Sequence, residues 1–353
     1  MEKLTFLKET VEHIDITKVN VIPLIEMMGK TAFQARNLAR AAQIADAMVA
    51  DPKATVILTL AGSLISAGQK AAIVELMRAN AIDVIVSTGA NLVDQDFFEA
   101  LGFRHYQGDV EADDQELRAH NIDRIYDTYI DEDELRICDD TIRQIADTLA
   151  PKAYSSREFL YAMGRYLEEH HPTANSIVLE AYLRQIPLFV PAFSDCSAGF
   201  GLIAHQASRP DRHLTIDSVK DFRELTEIKV RAGVTGLLML GGGVPKNFVQ
   251  DIVVAAELMG YDVPLHQYAV QLTVADERDG ALSGSTLKEA HSWGKVSLAS
   301  EQMVFGELTL TFPLLAGYLY HKGSWRDRQP RAWTSYLATS KGLQAQDTQS
   351  VGR

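Results

Sequence analysis

The chain predicts an α/β fold with a mostly parallel sheet flanked by helices. Three observations predict it. Short apolar, β-branched runs recur along the chain, at 55–60 (TVILTL), 82–86, 186–191 and 236–240. Helix-like stretches separate them, which is the alternation of a sheet wound with crossover helices. Each run ends in small or polar residues, at 61–68, 87–91, 194–199 and 240–243. Open α/β sheets bind ligands at the carboxyl ends of their strands, where such loops sit.

The elements follow in order. Residues 31–50 read as a helix with Thr31 as its cap and Phe33, Leu38, Ala42 and Ile44 as apolar candidates. A strand at 55–60, a helix at 69–80 and a strand at 82–86 follow. Residues 109–134 are acidic and read as an exposed, irregular excursion. A helix is predicted over 139–149. Another starts after Ser155, where Glu158 completes a capping box, and runs to His170. The run 186–191 is the next strand, 217–232 a helix, 236–240 a strand and 247–259 a helix. The last strands are placed at 266–273 and 296–298, and 309–316 is either a core strand or the first turn of a helix. No linker divides the chain, so 1–353 reads as a single domain with an N-terminal segment 1–30. The segment 324–353 is a polar, partly mobile tail, with mobility expected over 340–353.

Composition narrows the function. The 353 residues carry 47 acidic against 34 basic side chains, a net charge of −13. That argues against a nucleic-acid surface, which needs a basic stripe. Residues 1–10 are charged and lack a signal-peptide core, and no apolar run has the length of a membrane span. Only Cys138 and Cys196 occur, far apart, with no disulfide or zinc spacing. A cytoplasmic protein fits all of this.

The small-residue loops suit close approach of a ligand to backbone N–H groups. Gly241-Gly242-Gly243 fits either that or a tight strand-to-helix turn. Asp94, Asp96, Asp195 and Glu307, near strand ends, are candidates for ribose hydroxyls, each with a helix cap as its alternative. His170-His171 reads as a polar helix end and Cys196 as a buried thiol. The segment Glu289-Ala290-His291-Ser292-Trp293-Gly294-Lys295 places a lysine beside an aromatic ring, with a carboxylate six residues upstream. A lysine desolvated by an aromatic wall is expected to lose its proton more readily and to act as a nucleophile toward imines.

The chain resembles the deoxyhypusine synthase family, which includes homospermidine synthases and bacterial deoxyhypusine synthase-like proteins. The resemblance is carried, in order, by Thr31–Asn37, Ser63–Gly68, Glu116–Arg118 with Asn121–Ile125, Pro187–Gly199, Leu240-Gly-Gly-Gly-Val-x-Lys246, Asp279-Gly-x-x-Ser283-Gly284, Glu289-Ala-x-Ser-Trp-Gly-Lys295 and Phe312–Leu315. It implies a Rossmann-like NAD-binding fold and a homotetramer with active sites shared across a dimer interface. The implied activity is NAD-dependent transfer of an aminobutyl group from a spermidine-like polyamine, through a lysine imine, to an acceptor amine.

By the same resemblance Lys295 forms the imine, Trp293 walls the amine channel and Glu289 holds an ammonium end. Ser63, Ser66, Thr88, Asp94, Asp195, Ser197, Ala275, Gly280 and Glu307 fall at NAD contacts, with Asp96 the alternative to Asp94. No metal is implied. Four positions depart from the family pattern. Phe200 and Leu282 stand in place of acids, Asn247 in place of a histidine and Gln271 in place of a tyrosine. Imine chemistry with an altered amine pocket is therefore expected, in the manner of homospermidine synthase with putrescine as acceptor. The alternatives are a true deoxyhypusine synthase acting on a lysine of a translation factor, and an NAD- or polyamine-binding protein whose transfer activity has lapsed.

Overall fold

The computed structural model describes residues 2–344. A six-stranded parallel sheet organises it: β1 Thr55–Leu60, β2 Val84–Ser87, β3 Leu188–Phe189, β4 Thr235–Leu240, β5 Tyr268–Thr273 and β6 Glu301–Phe305. Their spatial order is β6-β5-β4-β1-β2-β3. Every pairing is parallel, with Leu58 beside Leu238 and Ile85, and Val270 beside Leu238 and Gln302. β1 and β4 are buried at every position. That is why they read as continuous apolar runs, not as an alternating pattern.

Helices cover both faces. One face carries Phe33–Ala50, Lys70–Arg78 and Leu308–Lys322, which share a core through Leu38, Met48, Ile73, Leu76, Phe312 and Leu315. The other carries Ser218–Ala232 and Gly243–Leu258, packed through Leu225, Ile228, Val249 and Ile252 against Leu237 and Met239 of β4. No helix among the described residues is long and apolar enough to cross a membrane.

Several boundaries differ from the sequence expectation. The first long helix is capped by Ala32 without a side-chain hydrogen bond, and the Thr31 hydroxyl donates to the Met28 carbonyl instead. Phe33 is 89% exposed with φ +53°, so it is not a core residue. The acidic excursion is ordered: Tyr106–Gln107, Ile122–Ile125 and Thr128–Asp131 form a small antiparallel sheet beside the helix Asp114–Ala119. The helix expected at 139–149 begins earlier, at Glu132, because Asp131 caps it. Two further helices, Ile177–Arg184 and Ser197–Ser208, flank β3. Val296 makes only an isolated bridge to His266, and the edge strand is β6. The segment 309–316 is helical.

The tail from 324 is packed as far as it is described. Arg328 is buried against Asp83, and Trp333 and Leu337 sit in the core of the second face. Residues 345–353, most of the segment expected to be mobile, lie outside the described residues.

Candidate functional site

The strand order reverses between β1 and β4, so the loops after these two strands diverge and leave a crevice at the carboxyl edge of the sheet. Gly62 (φ +87°) and Gly243 (φ +62°) line the two loops, and an added Cβ at either would meet nothing within 4 Å. At Gly241 (φ +79°) the loops close up, with Ala61 Cβ 3.1 Å from where a Cβ would stand. The backbone is therefore bent toward open space on both sides of the crevice.

The loop after β1 is held from the π-helical stretch Ala90–Phe97. Asn91 Oδ1 accepts from Leu64 N at 3.0 Å, and Gln95 Oε1 accepts from Ser66 N at 2.9 Å. Asn91 Nδ2 donates to Gly62 O at 2.7 Å and Thr88 Oγ1 at 3.0 Å, while Ser66 Oγ donates to Ser63 O at 3.1 Å. Ser63, Ser66 and Thr88 thus form one hydrogen-bonded unit. Asn91 and Gln95, which build it, were missed from sequence because a buried amide inside a helix has no local signature.

The structure separates the two candidate carboxylates. Asp96 is fully buried and accepts from Ser176 Oγ (2.7 Å), Ile177 N (2.8 Å) and Val178 N (2.9 Å). It is consumed in capping the helix Ile177–Arg184. Asp94 accepts from Ser197 N at 2.7 Å, which joins two of the NAD candidates directly. Burial pushes the Asp94 carboxyl up to about 6, helped by the nearby Asp139 and Asp195 and opposed by Ser197. Asp195 is exposed, and burial pushes the neighbouring Cys196 thiol up to about 12, an inert thiol.

Ala275 and Gly280 lie in the loop after β5, and Glu307 follows β6. Glu307 caps the helix Leu308–Lys322 through Thr309 N at 2.8 Å and remains exposed. An added Cβ at Gly280 would also meet nothing within 4 Å. Acceptors at Asp94 and Glu307, hydroxyls at Ser63 and Thr88, and open space over Gly62, Gly243 and Gly280 fit a dinucleotide laid across the strand ends.

Lys295 lies on the far side of β4 from that unit. The short helix Leu287–Ser292 ends at Trp293, Gly294 turns with φ +69°, and Lys295 O accepts from His266 N at 2.9 Å. Its Nζ stands 2.5 Å from Asp251 Oδ1 and 5.4 Å from the centre of the Trp293 ring. Trp293 is 70% exposed in the single chain, so here its ring borders the lysine on one side only. The nearest partner is a carboxylate, which the sequence did not single out.

Asn247 Nδ2 donates to the other oxygen, Asp251 Oδ2, at 3.0 Å. Asn247 and Asp251 are four residues apart on the helix Gly243–Leu258 and so share a face. Glu289 is exposed and completes a capping box, accepting from Thr286 N at 2.5 Å, which holds its carboxyl below the usual range. Its position near Lys246 leaves it available to a cation.

Lys246 is buried and donates to Ser285 O, Ser285 Oγ (3.1 Å) and Leu282 O (3.5 Å). Burial pushes its ammonium down to about 8, with Glu289 opposing and Lys295 assisting. It fastens the turn Leu282–Gly284 to the helix that carries Asp251.

Gln271 does not line an open pocket. It is fully buried in β5, its Nε2 donates to Gly241 O at 2.9 Å, and its Oε1 has no partner. Phe200 and Leu282 are 64% and 49% exposed. No cluster of three or more metal-ligating side chains exists among the described residues.

A sequence model of deoxyhypusine synthase matches residues 23–319. A deoxyhypusine synthase-like protein of Chlorobaculum parvum is 64% identical over 338 residues, covering 96% of this chain and 97% of the relative. A Methanosarcina mazei protein described as a probable deoxyhypusine synthase is 42% identical over 310 residues, with 88% and 89% covered. Among solved structures, one from Entamoeba histolytica assigned to the same enzyme family superposes with a TM-score of 0.58 at 19% identity, covering 88% of this chain and 97% of that one.

Proposed function

The chain belongs to the deoxyhypusine synthase family, a family of aminobutyl transferases, and from that premise we propose that it is an NAD-dependent, homospermidine synthase-like enzyme. The donor is a spermidine-like polyamine and the acceptor a small amine such as putrescine. The observation that carries the proposal is Lys295 held between Trp293 and Asp251, the latter on the helix that starts at the Gly-rich turn.

NAD, when bound, supplies a hydride acceptor and returns the hydride at the end, so no net oxidation occurs. The chain's residues do the rest. Ser63, Ser66, Thr88 and Asp94, with Ser197, Ala275, Gly280 and Glu307, are the residues that would hold the dinucleotide, and Asp195 adds negative charge at its edge. The oxidised donor is an iminium at the carbon that loses hydride. Lys295 Nζ attacks that carbon, the bond to the departing diaminopropane nitrogen breaks, and the Lys295 proton leaves with it. The acceptor nitrogen then attacks the Lys295-bound iminium and releases the lysine by the same exchange. Glu289 attracts the ammonium end of either amine.

These steps need a site poor in water, or the iminium hydrolyses. One protomer leaves Trp293, Val274, Leu282, Phe200 and Leu310 largely exposed. This supports a homo-oligomer, a tetramer by resemblance, whose partner covers the amine channel. A soluble, cytoplasmic setting suits free polyamines. A lapsed transferase is favoured by one observation alone, the apolar Phe200 and Leu282.

The deciding experiment incubates the protein with NAD, spermidine and putrescine and follows products by mass spectrometry. Homospermidine and diaminopropane are expected, and borohydride should trap a butylamine adduct on Lys295. Absence of both product and adduct with every common di- and triamine rejects the proposal.

A further inference from the structure

A lysine that attacks carbon must be a free amine, but the structure holds Lys295 in an ion pair. Asp251 Oδ1 is 2.5 Å from Nζ, and the two side chains are only 31% and 14% exposed. An ammonium has no lone pair, so a lysine in this pair cannot attack carbon until it has lost a proton and its carboxylate has another partner. The carboxylate itself is fixed: Asn247 Nδ2 holds Asp251 Oδ2 at 3.0 Å. It therefore stays in place when the lysine leaves it. A second lysine, Lys246, lies near enough to feel Lys295, and Glu289 lies near Lys246. The cluster carries two lysines and two carboxylates, of which Asp251 is paired with Lys295, so an arriving ammonium ion reaches Asp251 only by displacing that lysine.

The geometry points to Asp251 as an anionic subsite for the amine substrate that also gates Lys295. In the resting chain Asp251 neutralises Lys295. When a di- or triamine enters, one of its ammonium groups takes Asp251, Lys295 gives one proton to solvent, and the free amine turns toward the reacting carbon. Net charge is conserved: one cation enters the cluster and one proton leaves. The ligand class is an aliphatic polyamine with a protonated terminus. Asp251 acts here as a positioning residue, because it binds the part of the substrate that does not react. This rests on the transfer chemistry proposed above, but its test needs neither NAD nor turnover.

The test labels Lys295 with limiting formaldehyde and cyanoborohydride at neutral pH and reads dimethylation of that peptide by mass spectrometry. The probe is N,N,N′,N′-tetramethylputrescine, a dication whose tertiary nitrogens do not consume the reagent. In the wild-type protein, saturating dication is expected to raise Lys295 labelling about tenfold, the effect of one ion pair worth about 1.4 kcal/mol. Asp251→Asn is expected to label about tenfold faster without the dication and to gain nothing from it. Asp251→Glu should restore slow basal labelling, which separates the gate from a folding defect.

If the dication leaves wild-type labelling unchanged or lowers it, or if Asp251→Asn labels at the wild-type rate, the gate is wrong. The butylamine trap on Lys295 is read separately, so failure of the gate and failure of the transfer reaction are distinguishable.

Discussion

The three glycines at 241–243 do different jobs, and the middle one gives the sharpest test of how the amine side is assembled. Gly242 has φ −151°, so Gly242→Ala meets no left-handed strain. Its cost is steric. The new Cβ would stand 2.5 Å from Ser283 Cα and 2.8 Å from Ser283 Cβ. Carbon atoms pack at about 3.5–4.0 Å, so the turn carrying Ser283 must retreat by roughly 1 Å. That turn is fastened by Lys246 through Leu282 O and Ser285, so the shift is transmitted to the helix bearing Asn247 and Asp251. Overpacking of this kind costs about 1–3 kcal/mol of stability, and a misplacement of about 1 Å at a reacting centre costs on the order of 100-fold in rate.

Gly242→Ala should therefore fold, with a melting midpoint a few degrees lower, and lose about 100-fold in kcat/KM for aminobutyl transfer. Thermal unfolding and a steady-state assay of homospermidine formation measure the two. Wild-type kcat/KM in a folded Gly242→Ala protein would refute the coupling between the Gly-rich turn and the lysine site.

Three further outcomes are expected. Lys295→Ala should abolish transfer and borohydride trapping while leaving NAD affinity within about threefold by calorimetry, because the lysine's ammonium contacts Asp251 and Trp293, neither of them an NAD candidate; loss of NAD binding would make the lysine structural. Burial raises the Asp94 carboxyl to about 6, so below that pH it carries a proton and is a poorer acceptor for ribose hydroxyls. NAD affinity should then rise by up to about tenfold per unit from pH 5 toward 6 and level off above it, and Asp94→Asn should flatten the profile. Finally, Arg328 pairs with Asp83 at 2.5 Å, both about 4% exposed, and donates to Asn80 O at 2.7 Å. Arg328→Met leaves the buried Asp83 charge without its ion-pair partner and should cost about 3–5 kcal/mol in a denaturant titration, whereas a tail that merely dangled would cost nothing.

Much of the fold was legible locally. β1 and β4 announce themselves as apolar β-branched runs, and Ser155 with Glu158 places a helix start that the structure reproduces. The ordered motifs from Thr31 to Leu315 identify the family and with it the sheet. These signals survive because strand burial, capping and glycine turns are set within a few residues of one another. β3 has only two residues and β6 ends where an apolar run is short, so their boundaries depend on neighbours and shifted. The excursion at 109–134 looked irregular because its small sheet is held by pairing between residues that the local pattern does not connect.

The site divides in the same way. Sequence alone nominated Lys295 for the imine chemistry and the strand-end loops for the crevice, and named the pocket positions that depart from the family pattern. The tertiary structure decided what each side chain is free to do. It consumed Asp96 in a helix cap and left Asp94 on Ser197, and it buried Gln271 under Gly241. It also exposed Trp293 and placed Asp251, 44 positions away in sequence, against the Lys295 ammonium. Residue type sets what a group can do chemically. Its partner across the fold sets whether it is spent on structure, held in reserve or open to substrate, and no local pattern records that partner.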